Sequence, residues 1–411
     1  MKGRLGVFAC ALIVSLLLAP ARAAVDPLPR STPESVGLNA AKLAEATALL
    51  KQYVADRKIA GAVAAVARKG KLAYLEAVGV QDLASQTRMT DRSLFRIYSM
   101  TKSVTAVAVM MLLDEGKSGL SEPVSKYLPE FRNVRVGAPD GGARPPSREI
   151  TIEDLLLHTS GLNHRTSEEY RRAKVRSRAM TLPQFVDNVV RVPLMEDPGT
   201  RYRYSESPTV LGRLVEIWSG KPFDVFLNER VFGPMKMSDT TFWAAADARQ
   251  RLTTVYAPAQ GGGLMPVELE DVPFSERPAL LEGAVGLLST VPDYLRFSQM
   301  LLNRGELEGK RILKAGTVDA MTMNHLSPKI LEARGGGMGW GLANVNVVLN
   351  PAAVNYPAGR HEYGWDGTAG TIFWVDPHLQ MVTILMTQSS PANPDSLRQR
   401  FKTLVQQSII Q

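Results

Sequence analysis

The sequence predicts an α/β fold of the α+β kind, with a sheet-bearing domain built from both chain ends and a helical domain inserted between them. Two observations carry this. Strand-like runs lie early (Gly61–Ala67, Leu72–Gly79) and late (Met338–Leu342, Thr371–Val375, Met381–Met386). The stretch from Thr151 to about Thr241 is instead mostly helical in pattern, with breaks at Pro193 and Pro198-Gly199. The expected boundaries are residues 24–98 with 280–411 for the α/β domain and 99–279 for the mainly helical one. Residues 1–23 precede both as a leader. The groove between two domains is the default place for a site.

The leader comes first. Lys2 and Arg4 precede an apolar run from Leu5 to Ala19, then Pro20 and Ala21-Arg22-Ala23. A positive start, a short apolar segment and an A-x-A site make a secretory signal peptide, with cleavage expected before Ala24. The run is short for a membrane span, so the expectation is a periplasmic or secreted protein with no stable span after cleavage. The single cysteine, Cys10, lies inside the leader, which leaves the mature chain without a disulfide or thiol nucleophile. Cleavage removes Lys2, Arg4 and Arg22 and no acid, lowering the formal charge from +8 to +5. Apolar content of 45% and charged content of 21% are those of a globular chain. No basic stripe interleaves with aromatics, so nucleic acid is not an expected partner.

After a Pro-rich entry from Asp26 to Pro33, residues 39–55 have helical periodicity. The first two strand runs are separated by Arg68-Lys69-Gly70-Lys71, which reads as a hairpin turn. Next comes Ser99-Met100-Thr101-Lys102, followed by Ser103 to Leu113 without a charge before Asp114. A helix apolar nearly all round is a core helix. An S-x-x-K pattern arises by chance about once in a chain of this length, so the context matters more than the spacing. Serine and lysine three apart share one face, and a lysine at the mouth of a buried helix is desolvated toward the neutral amine. That makes Ser99 a candidate nucleophile and Lys102 its candidate base. The alternative is a helix start capped by Ser99, with Lys102 reaching water. Residues 114–150 are turn-rich, and a closing helix spans about 394–409.

Two further stretches bear on chemistry. Tyr204-Ser205-Glu206 follows the Pro198-Gly199 turn; a loop tyrosine serves as a base if a cation such as Lys102 holds its phenolate, and is otherwise structural. His361 to Gly370 carries Trp365-Asp366-Gly367-Thr368 into a strand; it offers a backbone N–H to an oxyanion or is simply a tight turn. In this order and at these separations, Ser99-x-x-Lys102, Tyr204-Ser205-x and Trp365-x-Gly367 resemble the serine β-lactamase and penicillin-binding superfamily. The similarity is to its class C-related branch, which includes the family VIII carboxylesterases. Leu157–Leu162, Pro198–Tyr204, Gly286–Tyr294, Met338–Leu342 and Phe373–Pro377 resemble that branch too, so the likeness covers roughly residues 35–410.

The resemblance implies an antiparallel sheet flanked by helices beside an all-helical domain. It implies that Ser99 is acylated, that Lys102 and Tyr204 share general-base and acid duty, and that the N–H groups of Ser99 and Thr368 form the oxyanion hole. No cofactor or metal is implied, and the partner is a small ester or amide. Two departures stand out. Glu206 takes the third place of Tyr-x-Asn, and Trp365-Asp366-Gly367 replaces the Lys-Thr-Gly or Trp-Gly-Gly of relatives. Lactams and D-Ala-D-Ala peptides carry a carboxylate that the family's sheet-edge lysine helps to hold. With Trp365, Asp366, Gly367 and Glu206 lining the substrate pocket, the expectation is an esterase for small neutral esters, because both carboxylates would repel an anion. Arg360 is the cation that could reverse this. A β-lactamase, a D-alanyl-D-alanine carboxypeptidase, a transacylase or a penicillin-recognising domain without turnover remain as alternatives.

Other chemistries lack their residues. No G-x-S-x-G elbow exists, and His158, His164, His325, His361 and His378 are scattered without H-E-x-x-H. His158 reads as structural. The basic run from Arg165 to Arg178 reads as a solvated face, and Gly335–Gly337 lacks the strand–helix setting of a phosphate loop.

Overall fold

The computed structural model describes residues 27–138 and 141–410. The leader and Cys10 lie outside the described residues. Eight strands form one sheet: β1 (Gly61–Arg68), β2 (Lys71–Asp82), β3 (Thr87–Arg88), β4 (Met338–Gly341), β5 (Val345–Val348), β6 (Tyr363–Asp366), β7 (Ile372–Asp376) and β8 (Met381–Thr387). Their order is β4-β5-β6-β7-β8-β1-β2-β3, and every pairing is antiparallel. The two chain ends meet at β1–β8, where Val63 lies opposite Met386 and Ala65 opposite Ile384.

Local chemistry sets the first hairpin. Lys69 and Gly70 both have positive φ (54° and 73°) between the paired Arg68 and Lys71. Two left-handed residues give a turn whose twist matches that of the strands. The β1 side chains then alternate between two cores. Val63, Ala65 and Ala67 face the helical side, while Ala62, Ala64 and Val66 face α1 (Ala40–Ala55) and a C-terminal helix (Leu397–Gln407). A strand covered on both faces is apolar at every position, which is why its run reads without polar alternation.

Helix α2 (Thr101–Asp114) packs against α3 (Ser207–Ser219) and is buried from Thr101 through Leu112. Its apolar core is continuous with that of the sheet and of the helices at 152–157 and 182–189. The chain touches the sheet region again before residue 280: Leu94 bridges Leu252, and Tyr256 bridges Ser389. The strands Val345–Val348 and Tyr363–Asp366 were not separated in the sequence pattern. Each is four residues long, too short for alternation to stand out.

Candidate active site

Ser99 sits on a 3-10 turn, Tyr98–Met100, that runs into α2. The turn is strained and then held. Tyr98 has φ +41°, a region a bulky L-residue seldom adopts. Its ring meets Phe274 edge-on at 5.8 Å and lies under the Arg165 guanidinium at 5.6 Å. Behind it, the Tyr294 hydroxyl donates to the Met100 carbonyl at 2.9 Å, and the Leu287 amide donates to the Thr101 hydroxyl at 3.1 Å. Ser99 is left half-buried above this scaffold.

Lys102, on the first turn of α2, is 0% exposed. Its Nζ donates to the Ala284 carbonyl at 2.9 Å, lies 3.5 Å from Ser99 Oγ, and sits 4.7 Å from the centre of the Tyr204 ring. Burial lowers its proton affinity to about pKa 8, against the pull of the Glu206 carboxylate. A buried amine aimed at a hydroxyl, without a carboxylate in ion-pair contact, can accept a proton near neutrality.

Tyr204 completes the group. Its hydroxyl accepts from Trp365 Nε1 at 2.9 Å and lies close enough to the Ser99 side chain for the serine to pull the phenol's pKa down. Burial pushes the phenol well above its ordinary value, so at rest it keeps its proton despite Lys102. His158 (4.7 Å), His164 (5.7 Å, stacked) and Trp365 (5.2 Å) surround the ring. Trp340 packs against Trp365 at 4.6 Å and anchors its own indole N–H on the Leu156 carbonyl.

The strand side is β6. Strand β5 pairs with it only as far as Gly364, so from Trp365 onward that edge is open toward Tyr204. Gly367 lets the following loop reach the nucleophile turn: a Cβ there would meet the Ile97 carbonyl at 2.5 Å. Thr368 is exposed just beyond, and its amide bonds to nothing among the described residues.

A serine, an amine and a phenol in mutual contact beside an open strand edge suit acyl transfer to serine. The beta-lactamase family pattern spans residues 46–407. The chain belongs to the beta-lactamase family. As a member, it is a serine hydrolase of the beta-lactamase fold. Protein Rv1367c of Mycobacterium tuberculosis is 35% identical over 81% of this chain and 86% of its own. Esterase EstB of Burkholderia gladioli is 30% identical over 87% of this chain and 93% of its own. Among solved structures, EstCE1, described as a hydrolase with promiscuous acyltransferase activity, superposes with a TM-score of 0.77. At 24% identity over 89% of this chain and 98% of that one, it speaks for the beta-lactamase fold alone.

Within this beta-lactamase-fold site, the expected pocket lining changes. Ser99, Lys102, Tyr204 and Trp365 come together. Glu206 does not line the pocket: it is 0% exposed, because helix α3 begins at Ser207 and turns it into the core. Gly367 is buried as a spacer. Asp366 is no free charge either, since its carboxylate pairs with Arg398, whose guanidinium also binds the Gly367 and Thr371 carbonyls at 3.0 and 3.2 Å. The expected repulsion from two carboxylates therefore fails. The cation beside the strand is Arg398, not Arg360. Nothing in the sequence near residue 366 signals a partner 32 positions away.

The basic run divides. Arg171, Arg172 and Lys174 are exposed, as expected. Arg165 and Arg176 are not: each makes an ion pair with the buried Glu270, and Arg176 also grips Glu282. His158 is buried, accepts the Ser205 amide N–H at Nδ1, and is held well below its ordinary pKa by burial, consistent with a structural role.

Proposed function

We propose that this serine hydrolase cleaves neutral carboxylic esters through an acyl-enzyme on Ser99. Neutral Lys102 takes the Ser99 proton as Oγ attacks the ester carbonyl. The Ser99 and Thr368 amides hold the developing oxyanion. Tyr204, protonated at rest, gives its proton to the departing alkoxide and regains one through Lys102. Water then repeats the cycle on the acyl-enzyme.

The observation that carries the ester reading is Trp365. Its indole N–H is committed to the Tyr204 hydroxyl, and its apolar face occupies the strand edge where the Lys-Thr-Gly members of the resembled superfamily place a lysine. An anionic substrate forfeits a charge-assisted hydrogen bond there, about 1.5–3 kcal/mol. A neutral ester loses nothing and gains aromatic surface. EstB, an esterase by name, supports the reading.

The test compares kcat/KM for p-nitrophenyl butyrate, a chromogenic cephalosporin and a D-Ala-D-Ala peptide. Wild type should prefer the ester, and Trp365→Lys should move the ratio toward the cephalosporin by about tenfold or more. A wild-type preference for either anionic substrate overturns the ester reading, and a burst without turnover points to a recognition domain. Export belongs to the same proposal. N-terminal sequencing from the native host should begin at Ala24, and a retained Met1 removes it.

A further inference from the structure

Two indoles stand in line behind the Tyr204 phenol, and no reaction step uses them. An indole N–H donates and cannot accept. The 2.9 Å bond between Trp365 Nε1 and the Tyr204 hydroxyl therefore runs one way, into the phenol oxygen. The hydroxyl's own hydrogen is left for another partner. Among the described residues no carbonyl or carboxylate takes it, and the Ser99 side chain lies close by.

On its own strand Trp365 has little to hold it. It is half-buried on β6, past the last residue that pairs with β5. What it leans on is Trp340, whose ring meets it edge-on at 4.6 Å and 89°. Trp340 is fully buried, on β4, and pinned along its length. Its amide donates to Asn324 Oδ1 at 3.1 Å, and its carbonyl accepts from the His325 amide at 2.9 Å. Its indole N–H donates to the Leu156 carbonyl at 3.2 Å. That carbonyl belongs to the last turn of the helix at 152–157, where carbonyls lack partners within the helix. The indole caps the helix end and is fixed by it. Tyr202 and His158, each at 5.3 Å, close on the same ring. An unbroken line of contacts thus runs from a helix backbone through two indoles to the phenol oxygen.

Resting on the reading of Tyr204 as the acid for the leaving alkoxide, we propose that Trp340 and Trp365 are a positioning pair for it. Trp340 holds the Trp365 indole, whose N–H aims the Tyr204 proton and stabilises the phenolate left once that proton is given away. As the C–O bond to the alcohol breaks, the Tyr204 proton passes to the alkoxide oxygen. The phenolate then recovers a proton from Lys102, which took it from Ser99. A hydrogen bond to a charged acceptor is stronger than one to a neutral acceptor. The Trp365 N–H therefore gains most at the moment of transfer, which is where an interaction raises the rate.

The test reads the leaving group. Ethyl butyrate expels an alkoxide that needs a proton, whereas p-nitrophenyl butyrate expels a stabilised phenoxide that does not. Because kcat/KM covers the steps through acylation, it isolates that proton. Trp365→Phe keeps an aromatic face and removes the N–H. It should lower kcat/KM by about tenfold or more for ethyl butyrate and by only about twofold for the p-nitrophenyl ester. Trp340→Phe should repeat the selective loss at smaller size. Asn324→Ala, which frees one backbone anchor of Trp340, replaces it if that variant does not fold. In a Tyr204→Phe background none of these substitutions should add a selective loss, because all act through the phenol. Equal losses on the two esters, no loss, or a selective loss that persists without the phenol overturns the proposal. A selective loss from Trp365→Phe alone, with both Trp340→Phe and Asn324→Ala silent, overturns the pair. Failure of the underlying reading looks different: Tyr204→Phe would itself treat the two esters alike.

Discussion

The helix side and the strand side of the cleft hold their charges in opposite ways. On the helix side, Lys102 is fully buried with a carbonyl, a hydroxyl and an aromatic face for company, and no carboxylate touches it. On the strand side, Asp366 is partly exposed and in contact with Arg398, which two backbone carbonyls also hold. The first arrangement keeps a proton affinity adjustable, because burial and distant charges set it. The second fixes both charges, because a close pair with extra hydrogen bonds resists titration. The difference assigns chemistry to the helix side and shape to the strand side.

The largest test of that division is on the helix side. Ser99→Ala should reduce turnover to background with the fold intact, and a phosphonate should label Ser99 and no other serine. Lys102→Ala and Tyr204→Phe should each lower kcat by about 10²–10⁴-fold, the usual worth of positioned proton transfer. Because the two groups pass one proton, the double variant should be little worse than either single. Additive losses in the double-variant cycle would separate them into independent roles.

Next in size is the response to pH. The base must be neutral, so activity is lost as pH falls through the pKa of Lys102, which burial lowers to about 8. Below that limb kcat/KM should fall about tenfold per pH unit. Tyr204 titrates far above its ordinary value and should produce no limb in the same range. A limb near the pKa of free histidine would move the base away from Lys102.

This division also explains what the sequence made legible. Ser99 and Lys102 are three apart on one turn, so their meeting is a local property of helix geometry. The sheet ends and the first hairpin rest on short-range patterns too. Glu206 was misread for a local reason, the helix that starts at the next residue, and Asp366 because its partner lies far along the chain. Glu206 is turned inward at the start of α3, and Asp366 is matched by Arg398 from the last helix. The run from Arg165 to Arg178 failed for the same reason: Glu270 and Glu282, which bury two of its arginines, lie about a hundred residues on. Composition cannot tell a solvated cation from one paired across such a distance.

The smallest expected effect breaks the strand-side pair from each end. Arg398 has a side chain 11% exposed against 37% for Asp366. Asp366→Asn should therefore leave a guanidinium that cannot reach bulk water and still holds two carbonyls, so the loop at Gly367 stays in place. Its uncompensated charge beside Trp365 should favour anionic substrates by about fivefold in kcat/KM, roughly 1 kcal/mol of screened attraction. Arg398→Met should do the reverse. It frees a carboxylate that can turn to water, disfavours the cephalosporin by a similar factor, and loosens the loop that presents Thr368. That second loss should lower kcat for the neutral ester as well, because the oxyanion donor is carried on that loop. The two substitutions thus move the anionic substrates in opposite directions and also differ on the neutral ester, which Asp366→Asn should cleave at the wild-type rate. Equal losses on the ester from both would show that Asp366 itself, and not only Arg398, shapes the loop.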